Sequence, residues 1–478
     1  MKKLLFIFLI ASSLLCKAQF TQSIRGRVTD KVSQTALPGA SIALSINGQL
    51  IGTTTNTNGF YEITNVPIGK HNIEVSFIGY EPLAFRNIEV ISGKETILNI
   101  ELTEQAIKVD EVTISAYRNG EIRNKMAKLS ARQFSVKETE KYAGSWGDPS
   151  RMAANFAGVI TANDSRNDII IRGNSPQGLL WRLEGINIPN PNHFAALGST
   201  GGPVSMLNNN LLSNSDFFTG AFPAEYGNAL SGVFDLKLRN GNNSKHEFTG
   251  QMGFGGFELG AEGPVSKNSR ASYMLNYRYS IPALMDKLGF SASEGATPNY
   301  QDISFKLNMP TSKTGTWALF GIGGKSNIMF LDESGMDGSS FDFMTDSRTQ
   351  NSSTTGILAL TNRLLTGKKS NLFTAISASY AEGSTQIDSI KTGLPDKRYY
   401  AEGNRETKLA FNSRYTLKIN PRNTFNAGGS IESFAINFAD SVSGEVMSPP
   451  MYDTFIKDID ANESGLLLCS CTVNGNTG

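Results

Sequence analysis

The sequence contains few cysteines for its length. Its 478 residues include only three, Cys16, Cys469 and Cys471, and all of them lie close to an end of the chain. Residues 19–468 therefore hold no thiolate zinc site, no CxxC redox pair and no disulfide framework.

Net charge is also nearly absent. Lys and Arg number 44 and Asp and Glu 43, which gives +1, and charged residues make up only 18% of the chain. This balance excludes a protein that coats nucleic acid and a highly charged disordered chain. Hydrophobic residues, at 39%, are fewer than usual, whereas the 47 glycines exceed the average share. The composition favours many turns and polar surfaces over a helical bundle.

The signatures of catalysis and metal binding are missing as well. The three histidines, His71, His193 and His246, are too far apart in sequence to share a metal-ligand spacing, and neither HExxH nor GxSxG occurs. We expect no catalytic residue, no metal site and no cofactor, and hence no enzyme.

The strongly apolar run lies at the N-terminus, where two lysines precede Leu4 to Leu15. This pattern predicts a secretory signal over residues 1–18, cleaved after Ala18. Lipidation of Cys16 is the alternative, but Leu15 stands where a lipoprotein needs a small residue. No later run approaches the roughly 18 apolar residues of a membrane helix. The exported chain is therefore either soluble or crosses a membrane as strands.

Residues 19–105 consist of short β-patterned runs separated by turn dipeptides. Ile42, Leu44 and Ile46 alternate with small or polar residues, and Asn58-Gly59 is typical of a tight turn. These signals predict an antiparallel β-sandwich. The motifs GRVTD, LPGASI, GTTTNTNGFYEI and VPIGKHNIEVSFIGYE, in that order, resemble the carboxypeptidase regulatory-like domain, a transthyretin-like sandwich. The resemblance implies a spacer or docking domain and no peptidase activity.

Residues 106–137 form a linker that begins with an acidic and then β-prone segment. By itself, KVDEVTISAYR is most often one more strand, but its position in a solvated, strand-poor stretch allows it to add to a partner's sheet. It resembles the TonB box of TonB-dependent receptors, which implies TonB, the periplasmic energy transducer, as a partner. The predicted box consists of Asp110, Glu111, Val112, Thr113, Ile114 and Ser115.

Residues 138–245 resemble the plug domain of the same receptors. Asp148-Pro149 predicts a helix start, and hairpin signals follow it. The family elements IRG, acid-Gly and AEYG occur in order, at Arg172, Gly173, Glu184, Gly185, Glu225, Tyr226 and Gly227. Many members have Asp-Gly where this chain has Glu184-Gly185, so no substrate rule attached to that Asp is carried over.

Residues 246–478 change to long runs with a period of two. In residues 271–280 and 301–309, apolar or aromatic side chains alternate with polar ones, and short connections alternate with long ones. A soluble sandwich also produces alternation, but the two classes of connection are typical of a transmembrane β-barrel. The count of strands is about eight, and a barrel of about eight strands has no room for a plug. Receptors of this family have about 22 strands. We therefore expect an N-terminal fragment with an atypical C-terminal tail.

The sequence thus predicts a mainly β protein: a sandwich, an α+β plug domain and the first strands of an antiparallel transmembrane barrel. The resemblance implies a TonB-dependent receptor of the cell outer membrane. Its partners would be TonB, outer-membrane lipid and a small molecule, siderophore or oligosaccharide that it takes up, but no nucleic acid. The alternative is a surface adhesin or structural barrel without transport.

Overall fold

The computed structural model describes residues 20–46, 49–105, 115–116, 130–134, 139, 142, 144–145, 147–161, 163–164, 166–195, 198–253, 256–267, 269–281, 298–332, 347–390, 395–442 and 459–474. These residues form two β-sheets near the N-terminus, a small mixed sheet with one short helix, and a ten-stranded antiparallel sheet. This organisation confirms the predicted mainly β fold class. No helix among the described residues is long and apolar enough to cross a membrane.

The first two sheets pack face to face as the predicted sandwich. Ile42, Leu44 and Ile73 are fully buried between them, as their alternation predicted. One sheet contains β1 (Thr21–Asp30), β4 (Phe60–Pro67), β7 (Thr96–Ile97) and β8 (Ile100–Leu102). The other has the order β3 (Gln49–Thr54), β2 (Ser41–Ile46), β5 (Gly69–Ser76), β6 (Leu83–Val90) and β9 (Ser115–Ala116).

The next unit begins earlier than the expected boundary at residue 138. Residues 131–134 form an edge strand of the plug sheet, because Phe134 is buried against Phe234 in the core of that sheet, with ring centroids 6.1 Å apart. Helix α1 (Pro149–Ala153) starts as predicted, since the Asp148 side chain accepts a hydrogen bond from the Ser150 amide.

The plug sheet has the order β10 (Ala131–Phe134), β17 (Leu212–Phe218), β18 (Gly232–Leu238), β13 (Leu179–Leu183) and β14 (Ile186–Asn187). Its β13 and β18 are parallel, and the other pairs are antiparallel. Two small hairpins flank it: β11 (Val159–Thr161) with β12 (Ile169–Ile171), and β15 (Asn192–His193) with β16 (Val204–Ser205).

The large sheet is built from consecutive antiparallel strands, each paired with the next. They are β19 (Glu247–Gly253), β20 (Gly256–Pro264), β21 (Ser272–Tyr279), β22 (Asn299–Pro310), β23 (Thr316–Asp332), β24 (Ser347–Leu365), β25 (Ser370–Ser389), β26 (Lys397–Lys418), β27 (Thr424–Val442) and β28 (Ile459–Asn474). Within the described residues, β19 and β28 do not pair with each other, so the sheet is open.

Ten strands are present where the sequence indicated about eight. Strands β19 and β20 contribute two of them, and Gly253 of the first pairs with Gly256 of the second. The tail, which we expected to be atypical, also pairs as a strand over residues 459–474.

The connections of this sheet differ between its two rims. On one rim the strands are joined by residues 265–271, 311–315, 366–369 and 419–423, which we call the short-turn rim. On the other rim, residues 280–298, 333–346 and 443–458 form longer connections. The connection at 390–396 on this rim is shorter than those three, because strands β25 and β26 extend to Ser389 and from Lys397.

The two faces of the large sheet have opposite chemistry. Leu275, Ile303 and Leu409 are exposed on one face, whereas the intervening Asn276, Asp302 and Lys408 are buried on the other. A water-soluble sandwich has the reverse distribution, with apolar side chains inside. A sheet that exposes its apolar face and covers its polar face is typical of a membrane barrel with a filled lumen.

Candidate functional site

The predicted TonB box is only partly visible. Residues 110–114 lie outside the described residues, and Ser115 begins strand β9. There Ser115 and Ala116 pair in parallel with Leu83 and Ala84 of β6, at the edge of the sandwich sheet. The last residue of the predicted box is therefore extended and bound through its backbone to a strand edge.

The first plug motif, at Ile171 to Gly173, forms a turn at the end of β12. Arg172 and Gly173 both have positive φ, of 50° and 78°, and the Asn174 amide donates to the Ile171 carbonyl. The exposed Arg172 guanidinium donates to the Ser130 hydroxyl at 2.8 Å. This turn thus connects the hairpin with the segment that enters the plug from the linker.

The second motif, Glu184-Gly185, is the two-residue turn between β13 and β14. Positive φ at both residues, 51° and 87°, matches a type I′ hairpin turn, in which glycine suits the second position. The Glu184 carboxylate accepts from the Leu238 amide at 2.6 Å and from Lys306 of the barrel wall at 3.3 Å. Burial raises the pKa of Glu184, but nearby lysines and these hydrogen bonds outweigh it and hold the pKa below its usual range.

The third motif, at residues 224–227, provides a second charged contact with the wall. Glu225 lies between Arg182 of the plug, 3.7 Å away, and Arg414 of β26, with which it forms an ion pair. Tyr226 donates to Asp235 at 2.9 Å and lies under the Arg182 guanidinium, while Gly227 follows in a turn. The structure therefore places Glu184 and Glu225 at two separate contacts between plug and wall.

A further contact was not predicted from the sequence. His193, Asp302 and Arg278 form a buried cluster, in which the His193 Nε2 lies 3.0 Å and the Arg278 Nε 2.8 Å from the same Asp302 oxygen. Arg278 also donates to the Ser205 carbonyl of the plug. The sequence gives no sign of this cluster, because Arg278 and Asp302 lie far from His193 in the chain, on the barrel strands β21 and β22.

Apolar side chains complete the junction between plug and wall. A single hydrophobic cluster contains plug residues such as Leu183 and Ile186 together with wall residues such as Phe320 and Phe373. The plug is therefore held against the polar face of the large sheet by ion pairs and by a shared apolar core.

The described residues include no group of three or more His, Cys, Asp or Glu side chains arranged to hold a metal ion. Among the plug motifs, Glu184 is engaged with a lysine and a backbone amide, and Glu225 with two arginines.

Comparison with known families identifies the first domain. Residues 24–114 match the family model of the CarboxypepD_reg-like domain. The matched range extends beyond residue 105, where we expected the sandwich to end, and covers residues 110–114 of the predicted TonB box. The sequence matches no curated protein.

Several solved outer-membrane receptors are similar in structure to the chain. The pyoverdine outer membrane receptor FpvA from Pseudomonas aeruginosa is 11% identical, with a TM-score of 0.51, over 71% of this chain and 53% of that receptor. The siderophore receptor PirA from Acinetobacter baumannii is 15% identical, with a TM-score of 0.44, over 66% of this chain and 49% of that one. The outer membrane transporter YddB from Escherichia coli is 14% identical, with a TM-score of 0.43, over 65% and 48%.

This chain spans about half the length of these three proteins. At 11% identity, the match to FpvA establishes the fold alone. The chain therefore begins with a domain that matches the CarboxypepD_reg-like family, and its overall fold is that of the pyoverdine outer membrane receptor FpvA.

Proposed function

We propose that the protein is a TonB-dependent receptor of the outer membrane, which takes up a specific substrate with energy delivered through TonB. One observation carries the proposal: a folded plug packs on the polar face of a sheet whose other face is apolar and exposed. In this arrangement lipid covers residues such as Leu275 and Leu409, and the plug blocks the lumen.

The proposed orientation follows from the connections. The short-turn rim faces the periplasm, and the longer connections face outwards, as in other barrels of the outer membrane. Substrate then binds the outer connections and the outer end of the plug. The proposed substrate is a small molecule, a siderophore or an oligosaccharide, and binding assays with each class would distinguish them.

The TonB box is the proposed point where force enters. Its support is its position between sandwich and plug and the extended strand that begins at Ser115. TonB would add a strand to residues 110–115, with main-chain hydrogen bonds supplying affinity. Pulling on this segment would then act on the plug, which follows it in the chain.

Deletion of residues 110–115 is expected to abolish uptake and to leave substrate binding unchanged, because the box lies outside the plug and barrel. Cells that express the receptor from its own gene would be assayed for accumulation and for surface binding of the substrate. Undiminished accumulation would exclude the TonB-driven mechanism.

A single substitution tests the same idea more sharply. Val112→Pro removes one backbone N–H and is expected to reduce uptake at least about tenfold, since proline cannot donate to a strand ladder. The matched control, Val112→Thr, keeps the donor and the β propensity and should retain uptake. Equal uptake by the two variants would contradict strand addition at the box.

A further inference from the structure

The sandwich and the plug are attached to the barrel strands in different ways. The plug shares one hydrophobic cluster with the wall, whereas the buried cluster of the sandwich contains only residues between Ile24 and Leu102. The sandwich therefore has a complete core of its own. The contacts described below between it and the rest of the chain are ionic, polar or cation–π contacts.

The first of these contacts is a buried lysine at the end of β26. Lys418 is 5% exposed and forms an ion pair with Asp30 of the sandwich, which is 1% exposed. Its ammonium group also lies 2.7 Å from Glu104, and Tyr80 donates to Asp30 at 3.1 Å. Burial raises the pKa of Asp30, but hydrogen bonds from Lys418 and backbone amides outweigh it and hold the pKa low. Asp30 is therefore ionised at neutral pH.

The second contact lies at the opposite end of the sheet, where the plug leads into β19. Lys245 is 2.8 Å from Glu95 of the sandwich, and the Asn242 side chain donates to Glu95 at 3.1 Å. Next to it, Lys94 is 3.2 Å from Glu262 of β20. We call the pairs Asp30–Lys418 and Glu95–Lys245 the two anchors.

Weaker contacts lie between the anchors. The Asn371 side chain, at the start of β25, donates to the Val32 carbonyl at 3.2 Å. Arg270, in the connection 265–271, lies 4.7 Å over the Phe60 ring. The sandwich thus contacts the short-turn rim from β19 to β26.

A cavity of about 2940 Å³ lies between the three units. Its lining includes Glu62 and Arg86 of the sandwich, Asp216 and Lys237 of the plug, and Arg363 of the wall. The sandwich consequently covers the underside of the plug with a cavity between them.

We propose that the sandwich is a lid on the short-turn rim, closed by the two anchors and released as a folded unit. Interfaces between domains that are polar and lack a shared core permit relative motion. The strength of this one is concentrated in a few charges. Breaking the buried pair of Lys418 and Asp30 by removing one partner is costly, whereas Glu95 also keeps an ion pair with Arg25 of the sandwich at 2.7 Å. The contacts alone show that the sandwich is docked on the short-turn rim. Its consequence for uptake, that the lid must open before the plug can leave through this rim, rests on the proposed function.

The test measures the distance between the sandwich and the rim in the whole chain, reconstituted in lipid nanodiscs. Spin labels are attached at two exposed positions, Glu74→Cys on β5 and Ser312→Cys in the connection 311–315, with the native cysteines replaced by serine. Pulsed electron paramagnetic resonance is expected to give one narrow distance distribution for the parent. A broad distribution in the parent would overturn the closed lid.

Reversal of the anchor charges should open the lid. Lys418→Glu with Lys245→Glu places carboxylates opposite Asp30 and Glu95, and the narrow distance peak is expected to be lost. Both substitutions lie outside the sandwich, so its strands should keep their protection in hydrogen exchange. The control Lys313→Glu makes the same kind of charge reversal at one exposed lysine of the rim and should leave the peak unchanged.

Besides a broad distribution in the parent, three results would overturn the lid: a narrow peak that persists in the anchor double variant, an equal loss of the peak in Lys313→Glu, or loss of protection in the sandwich of the anchor variant. Substrate uptake plays no part in this measurement, so its outcome is separate from that of the TonB-box experiments.

Discussion

Replacement of Asp302 by alanine is expected to lower the free energy of unfolding of the plug by about 3–5 kcal/mol, the range for breaking a buried ionic contact by removing one partner. Asp302 is the shared acceptor for His193 of the plug and Arg278 of the wall. Without it, the guanidinium keeps the Ser205 carbonyl, the ring of Tyr300 and the electrostatic attraction of Glu258, but loses its ion-pair partner at 2.8 Å.

The charge in this cluster belongs mainly to Arg278 and Asp302. Burial lowers the pKa of His193 and outweighs the opposing effect of Asp302, so the imidazole is neutral at physiological pH. His193 therefore contributes a hydrogen bond, whereas Arg278 contributes an ion pair. Asp302→Asn, which keeps an acceptor and loses the charge, should have an intermediate effect.

Hydrogen exchange of residues 186–207 in membrane-embedded protein measures this effect. The matched control is Ile303→Ala, one residue further along β22, whose side chain is exposed on the apolar face. It should leave the protection of the plug nearly unchanged. Similar protection in Asp302→Ala and Ile303→Ala would show that the cluster does not hold the plug.

The faces of the strands could be predicted because alternation is a local property. Leu275 and Tyr277 are exposed and Asn276 is buried, as a period of two requires. The cap at Asp148 was predictable for the same reason, since it depends on neighbouring residues.

The contacts that connect the domains depend on pairs far apart in the chain. His193 and Asp302 are separated by 109 positions and Asp30 and Lys418 by 388, and no spacing rule covers such distances. Lys418 fitted the alternation as one more polar residue of β26, and nothing local distinguishes it from Lys408. The early start of the plug sheet was missed likewise, because Phe134 is recognisable as a core residue only beside Phe234.

Substitution of Gly26 by alanine is expected to unfold the sandwich while the plug and the barrel strands stay folded. A Cβ atom at Gly26 would lie 1.9 Å from the Leu98 carbonyl oxygen, and this oxygen belongs to backbone that cannot turn away as a side chain can. The Leu98 amide donates to the Arg25 carbonyl at 2.8 Å, which holds the two segments together. The cost should exceed about 4 kcal/mol, as for other severe core clashes.

Because the sandwich and the plug have separate hydrophobic cores, the unfolding caused by Gly26→Ala should be confined to the sandwich. Ile24 and Val28, on either side of Gly26, pack only in the cluster of the sandwich, while the plug belongs to the cluster that it shares with the wall. Hydrogen exchange should therefore show loss of protection over residues 21–102 and unchanged protection in β17 and β18.

The control Gly93→Ala adds a methyl group where nothing lies within 4 Å, and it should leave both domains protected. Loss of protection in the plug of the Gly26→Ala variant would mean that the sandwich and the plug fold as one unit, contrary to their separate hydrophobic clusters. The released lid is expected to remain folded, so Gly26→Ala and the anchor variants should differ in the hydrogen exchange of the sandwich. Gly26→Ala should remove the protection of its strands, whereas the anchor variants should remove only its attachment to the rim.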